Sequence, residues 1–200
     1  MADIYKEYRG VDNLVYAKLI QDTEETIEYG EVKPLAAVAE ISKTTETSEE
    51  THYYDNMAAV VISATGPDEI TCSVAAIDLE TLADITGQVF DADTGALIEG
   101  ERKPTYCAIG YRTKKTDGTY VYVWRYKGMC SIPDSTHATE DDGTDANGQE
   151  IVFTCIQTTH KFTKTGAGAK GITVDGGLGK ADVSTFFDDV TTPDTIKAKA

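Results

Sequence analysis

Four features of this 200-residue chain invite a chemical reading: a glycine-rich stretch, two acidic loops, a set of cysteines and histidines, and an aromatic strand. Gly166, Gly168 and Gly171 spell G-x-G-x-x-G. That pattern grips a pyrophosphate when it joins a strand to a helix whose amide dipoles meet the anion. Here Ile172-Thr173-Val174 and more glycine follow, so the stretch reads as a connector. Gly179-Lys180 resembles the end of a phosphate loop, but Val174 stands in place of its first glycine. Ala181 replaces the hydroxyl residue that would hold magnesium. Calcium loops fare no better. Starting one at Gly143 puts Thr154 in the twelfth place; starting one at Asp91 puts Ala96 at the glycine and Arg102 at the closing glutamate.

Cys72, Cys107, Cys130 and Cys155 contain no C-x-x-C pair, and His52, His137 and His160 lie in separate segments. Zinc ligands come in closely spaced pairs, so the cysteines read as free, buried, small hydrophobes. Cys155 and His160 are five apart on or just after a strand, which points them to opposite faces. Carboxylates are too many and too evenly spread to single out an acid/base pair. The expectation is a protein with no enzyme chemistry, no cofactor and no metal. Tyr120, Tyr122, Trp124 and Tyr126 alternate with Val121 and Val123 and share one face of a strand. They form either a stacking platform for a carbohydrate or surface ligand, or one wall of a core; the core is the plainer reading.

The elements that must position these residues are short strands. Residues 106–113 and 119–126 flank Lys114-Lys115-Thr116-Asp117-Gly118, a strong hairpin signal. Residues 57–64 are an apolar, β-branched run, and Thr65-Gly66-Pro67-Asp68 predicts a turn from it into an alternating strand at 70–76. Gln149–Thr158 is a further strand, and residues 14–20 and 35–41 are weaker ones. Leu79, Leu82, Ala83 and Thr86 predict a helix, with Asp78 as its N-cap and Gly87 as its C-cap. Val183, Phe186, Phe187 and Val190 repeat that spacing between Asp182 and Pro193, predicting a short C-terminal helix. Residues 42–56 read as a polar arm and 134–148 as a loop. The division expected is a β domain over 1–163 followed by a glycine-rich connector and C-terminal arm over 164–200.

Charge narrows the function. The net value is −16, and residues 1–100 carry 21 acidic against 5 basic side chains. Gripping nucleic acid needs a basic face, so a DNA-binding protein is disfavoured. The apolar runs are too short to span a bilayer, and Met1-Ala2-Asp3-Ile4-Tyr5-Lys6 lacks the pattern of a signal peptide. Synthesis and folding in a cytoplasm are expected, with no membrane partner.

The stretch Tyr8-Arg9-Gly10-Val11-Asp12-Asn13-Leu14-Val15-Tyr16-Ala17-Lys18-Leu19 resembles the opening of the major tail proteins, or tail tube proteins, of long-tailed non-contractile bacteriophages. Asp22–Glu25, Tyr29–Val32, Ala39–Ser42, Tyr53–Asn56, the helix, the Arg112–Lys127 hairpin and Thr185–Val190 continue the resemblance in order. It implies a mainly β fold, a β-sandwich or barrel with one flanking helix and extended arms. It also implies hexameric rings stacked into a tail tube, a virion structure assembled in the host bacterial cytoplasm and a conduit for DNA ejection. Its partners would be further copies of itself, a tape-measure protein and a tail-terminator protein, and DNA would slide past an acidic lumen without specific binding. Under this reading the polar segments supply the subunit contacts, with Glu46, Glu49, Glu50, Tyr53, Tyr54, Phe186 and Phe187 as candidates. The alternatives are a tube protein of a contractile tail or type VI-like injection machine, or a carbohydrate- or surface-binding β-sandwich.

Overall fold

The structure, a computed structural model, describes residues 5–137, 139 and 147–199. The fold is mainly β. Its strands are β1 (Tyr8–Asp22), β2 (Ile27–Tyr29), β3 (Lys33–Pro34), β4 (Val38–Tyr54) and β5 (Met57–Val74). After helix α1 (Leu79–Thr86) come β6 (Val89–Asp91), β7 (Ala96–Ile98), β8 (Cys107–Lys115), β9 (Tyr120–Cys130), β10 (Asp134–Ser135), β11 (Gln149–Ile156) and β12 (Gly171–Asp175). One antiparallel sheet runs β2-β1-β8-β9-β11-β5-β4, with β3 added to β1, β10 to β11 and β12 to β9. Strands β6 and β7 form a separate hairpin. The sheet curls until β1 and β4 approach each other, giving a barrel-like wall around an apolar interior.

Alternation in β9 decides what each side of this wall buries. Val121 and Val123 point into the interior with Tyr16, Ile70, Ile109 and Phe153. Trp124 and Tyr126 point to the other face and are fully buried there, beneath Phe162, Phe186 and Val190. A bulge then reverses the pattern. Ile109 pairs with Arg125 and Cys107 with Gly128, so β9 carries one residue more than β8 over this span. Beyond the bulge the even-numbered Cys130 faces the interior. Gly128 is fixed by space: a Cβ there would lie 2.4 Å from the Phe153 ring.

The expected hairpin between β8 and β9 is present, its turn closed by Asp117, which accepts from the Thr119 amide and hydroxyl at 2.9 and 2.6 Å. Helix α1 also lies where the periodicity put it, with Leu82 and Ile85 in the interior and Gly87 left-handed at φ 75°. Asp78 occupies the N-cap but its side chain makes no capping hydrogen bond. The helix is tied to the sheet through Asp84 instead. Its carboxylate accepts from Tyr16 Oη at 3.1 Å, Lys18 Nζ at 2.6 Å and Lys33 Nζ at 3.3 Å.

Three expectations are corrected. The C-terminal helix is absent: residues 184–190 form successive turns, with amide bonds spanning three residues from Phe186 to Val183 and from Asp188 to Thr185. The Phe186 carbonyl, which a helix would use internally, instead accepts from Trp124 Nε1 and from the Thr191 hydroxyl, both at 2.9 Å. Residues 164–199 are likewise no free connector or arm. They supply β12, paired with β9 from Gly171–Arg125 to Asp175–Val121, and the cover over Trp124. The turn at Gly66-Pro67 is also absent, because β5 runs straight through it and the hairpin reverses at Asp55-Asn56. Of the expected loop at 134–148, residues 138 and 140–146 lie outside the described residues, and Asp134–Ser135 pair with β11.

Truncating Trp124 removes the largest fully buried side chain and the indole hydrogen bond together. Trp124→Ala is expected to destabilise the fold by about 3–5 kcal/mol, measured as a lowered urea midpoint.

Candidate assembly arm

The sequence features that invite chemistry are occupied by structural roles. Gly171 sits where a Cβ would meet the Trp124 carbonyl at 2.2 Å, so the glycine is demanded by close pairing of β12 with β9. Asp91 closes the β6–β7 turn by accepting from the Asp93 amide at 3.0 Å and the Thr94 hydroxyl at 2.5 Å. Of the calcium-like stretch beginning at Gly143, residues 143–146 lie outside the described residues and the part from Gln149 on belongs to β11. All four cysteines are free and buried. Burial pushes the Cys155 thiol up to about 11, far from a reactive thiolate. His160 stacks edge-on against Phe162 in the outer layer, whereas Cys155 faces the interior. Most of the aromatic face of β9 is packed against its own chain, with Tyr122 against Phe186 and Trp124 against Phe187; Trp124 and Tyr126 are fully buried, and Tyr120 and Tyr122 half-buried. Among the described residues no group of three or more His, Cys, Asp or Glu side chains is arranged to hold a metal ion. No helix among them is long and apolar enough to cross a membrane.

The feature left unexplained by the core is the hairpin of β4 and β5. Its inner part, Val38–Thr45 against Asp68–Val74, belongs to the wall, where Asp68–Val74 also pair with β11. Among the described residues its outer part, Thr47–Tyr54 against Met57–Thr65, pairs only with itself. Asp55 and Asn56 form the tip, both left-handed at φ 50° and 62°, the conformation a two-residue hairpin turn requires. Residues Asp55–Ala64 are all exposed, including Met57 at 70%, Val61 at 62% and Ile62 at 54%. An isolated two-stranded ribbon is marginal in water, and this one carries bare apolar side chains as well.

The arm divides by strand rather than by face. Over β4 it reads Thr47-Ser48-Glu49-Glu50-Thr51-His52, polar and acidic. Over β5 it reads Met57-Ala58-Ala59-Val60-Val61-Ile62, apolar at successive positions. Successive residues of a strand point to opposite faces, so the β5 half is apolar above and below. Such a strand is normally buried on both faces.

The base of the arm is held by a cluster around Asp68. Thr45 pairs with Asp68 and Thr47 with Thr65, so Gly66 and Pro67 together stand opposite Glu46. The bulge absorbs the missing N–H of Pro67 and allows β5 to continue where a turn was expected. The Asp68 carboxylate, nearly buried, accepts from Lys170 Nζ at 2.9 Å and Thr45 Oγ1 at 3.0 Å. Lys43 lies at 3.4 Å and Arg125 at 3.7 Å. Lys170 also donates to the Gly66 carbonyl. Burial pushes this carboxyl up, but the hydrogen bonds from Lys170 and Thr45 and the charges of Lys43 and Lys170 outweigh it. The net displacement is below the ordinary value of 3.8.

Five of the seven candidate contacts gather on this arm: Glu46, Glu49 and Glu50 are exposed, and Tyr53 and Tyr54 are 67% and 63% exposed. The other two do not. Phe186 is 2% exposed because it packs in its own chain's outer layer, which corrects its reading as a surface for a neighbour, and Phe187 is half-buried beside it. The exposed apolar residues Met57–Ile62 were not among the candidates, although an unalternating apolar run beside an acidic segment was the available signal.

No protein-family model matches the chain, and a search of curated proteins finds no match.

Removing the Asp68 charge leaves Lys170, Lys43 and Arg125 without their shared carboxylate at the base of the arm. Asp68→Asn is expected to destabilise the protein by about 2–3 kcal/mol, toward the low side of buried-pair losses because both lysines reach solvent. Since the folded carboxyl titrates below its unfolded value, its contribution is complete above about pH 4 and fades as pH falls through the folded value. Urea unfolding of both proteins from pH 7 to pH 3 should therefore show their stabilities converging toward the acid end.

Proposed function

We propose that this protein is a self-assembling structural subunit, the tube-forming major tail protein of a long-tailed, non-contractile bacteriophage. Copies would close into hexameric rings that stack as the conduit for DNA ejection. The observation that carries the self-assembly reading is the arm: an ordered ribbon, apolar along one strand, that none of the described residues covers. Contiguous apolar surface of this kind marks an interaction site.

The remaining support is chemical. The net charge of −16 suits a protein that lets a polyanion pass instead of gripping it. The deeply buried functional groups are committed to packing: Cys155 faces the core and Asp68 holds lysines. The order of sequence features along nearly the whole chain resembles the tail tube family, and the mainly β, one-helix fold is compatible with it. That family resemblance is what names the phage tail, the hexameric ring, and the tape-measure and terminator proteins as partners.

The test pairs negative-stain electron microscopy with light scattering over a range of concentrations. The chain is expected to form hollow rings or tubes. A variant joining Glu46 directly to Gly66, without residues 47–65, is expected to remain monomeric while its circular dichroism keeps the strand signal of the body. Tubes from the armless variant would remove the arm from assembly, and a wild-type chain monomeric at every concentration would remove the proposal.

A further inference from the structure

A cleft of about 390 Å³ runs beside the first half of β1, where the barrel-like wall fails to close. Strand β3 pairs with β1 at Val15 and Tyr16, and the Leu35 amide donates to the Leu14 carbonyl. The two chains then part. Among the described residues, the Tyr8–Asn13 edge of β1 has no strand on this side. Val11, Val15, Pro34, Ala36 and Val38 give the cleft small apolar walls. The structure thus holds two unsatisfied features, an apolar strand without a sheet and an apolar seam without a strand.

The arm cannot fill the seam of its own chain. Strand β4 starts at this cleft, at Val38, and leads away from it into the arm, at Thr47. Nine residues of extended strand separate the two, about 30 Å at a rise of about 3.3 Å per residue. The Asp68 cluster fixes the base at which the arm leaves the wall. An arm lying in this seam must therefore come from another molecule.

Charge points to a second copy of this chain. Residues 47–65 carry Glu49, Glu50 and Asp55 and no lysine or arginine, and Glu46 stands at the base of the arm. The ends of β1 and β8 near the cleft, residues 6–12 and 112–115, of which Val11 and Asp12 line it, carry five lysines and arginines against two carboxylates. Lys6, Lys115 and Arg112 are paired with Asp117, Asp175 and Asp12, whereas Arg9 and Lys114 have no carboxylate partner among the described residues. Pairing two arms with each other would instead set their like charges together.

We propose that Met57–Ala64 of one copy lies in the β1 seam of the next, its apolar side chains between Val11 and Val38 and its acidic neighbour strand toward Arg9 and Lys114. This rests on the self-assembly reading above and names its contact. Bulges at Arg9-Gly10 and Asn13-Leu14 interrupt the β1 edge, so packing in the cleft holds the strand more than a long hydrogen-bonded ladder does. Donor and acceptor lie at opposite ends of the same strand, β4. Because donor and acceptor are different surfaces of one chain, each copy has both to offer, and repeating the contact head-to-tail builds rings or filaments.

The test is heterotypic cross-linking between full-length chains, since the four native cysteines are buried. Chains carrying Val60→Cys or Val61→Cys, one for each face of the strand, are mixed with chains carrying Arg9→Cys and oxidised with copper–phenanthroline, with light scattering recorded in parallel. The expected result is a disulfide-linked dimer formed in the mixtures and lost on reduction, with several-fold less product from either partner alone. Particles that assemble by light scattering without this cross-link would overturn the seam contact and leave self-assembly standing. Equal cross-linking of Val61→Cys chains to one another would replace it with arm-to-arm pairing. Chains that neither scatter as assemblies nor cross-link would overturn both readings.

Discussion

Strand β9 is the member on which the rest of this molecule depends, because it is buried on both faces at once. Its valines complete the interior of the wall, and its tryptophan and tyrosine anchor a second layer outside it. Along one edge β9 pairs with β8; along the other it pairs first with β12 and then with β11. The change of partner coincides with the bulge that reverses the facing of its side chains. A single strand thereby sets where the interior ends, where the outer layer begins and which segments can join the sheet.

That double burial explains the C-terminal quarter. Trp124 exposes an indole N–H and a large apolar surface on the outer face, and both need covering. Phe186 supplies the carbonyl and the ring, Val190 and Phe162 fill in around it, and Asp194 ties the segment down by accepting from the Thr163 and Lys164 amides at 2.8 and 3.1 Å. Gly168 and Gly171 in this region serve close approach of backbones. The arm is the reverse case, an ordered element that none of the described residues covers.

The parts of this fold legible in the sequence were those fixed by short-range chemistry. Asp117-Gly118 between alternating strands marked the central hairpin, and Gly87 after an apolar stripe marked the end of α1. Long-range chemistry was illegible. Gly66-Pro67 looked like a turn because nothing nearby reveals that Glu46, Lys170 and Asp68 hold that bulge from three separate segments. Val183 to Val190 has helical spacing, but the carbonyl that a helix needs is taken by a tryptophan sixty-two residues away. Of the candidate site, the acidic and tyrosine-bearing strand was found from composition. Its apolar partner strand was assigned to a hairpin with 70–76, and that pairing hid its exposure.

The topology also orders events in time. Hairpins between neighbouring segments form within microseconds, whereas contacts between distant segments must wait for loop closure. The arm is a hairpin between adjacent strands, complete once residue 74 has been made. The body is not: Asp12 of β1 meets Arg112 of β8 across one hundred residues, and the cover over Trp124 comes from the last stretch of chain. During synthesis the apolar ribbon is therefore complete before the body that carries it, because β8, β9 and the cover over Trp124 are still to be made. For that interval the nascent chain displays an exposed strand, Met57–Ala64, without the finished wall that anchors its base.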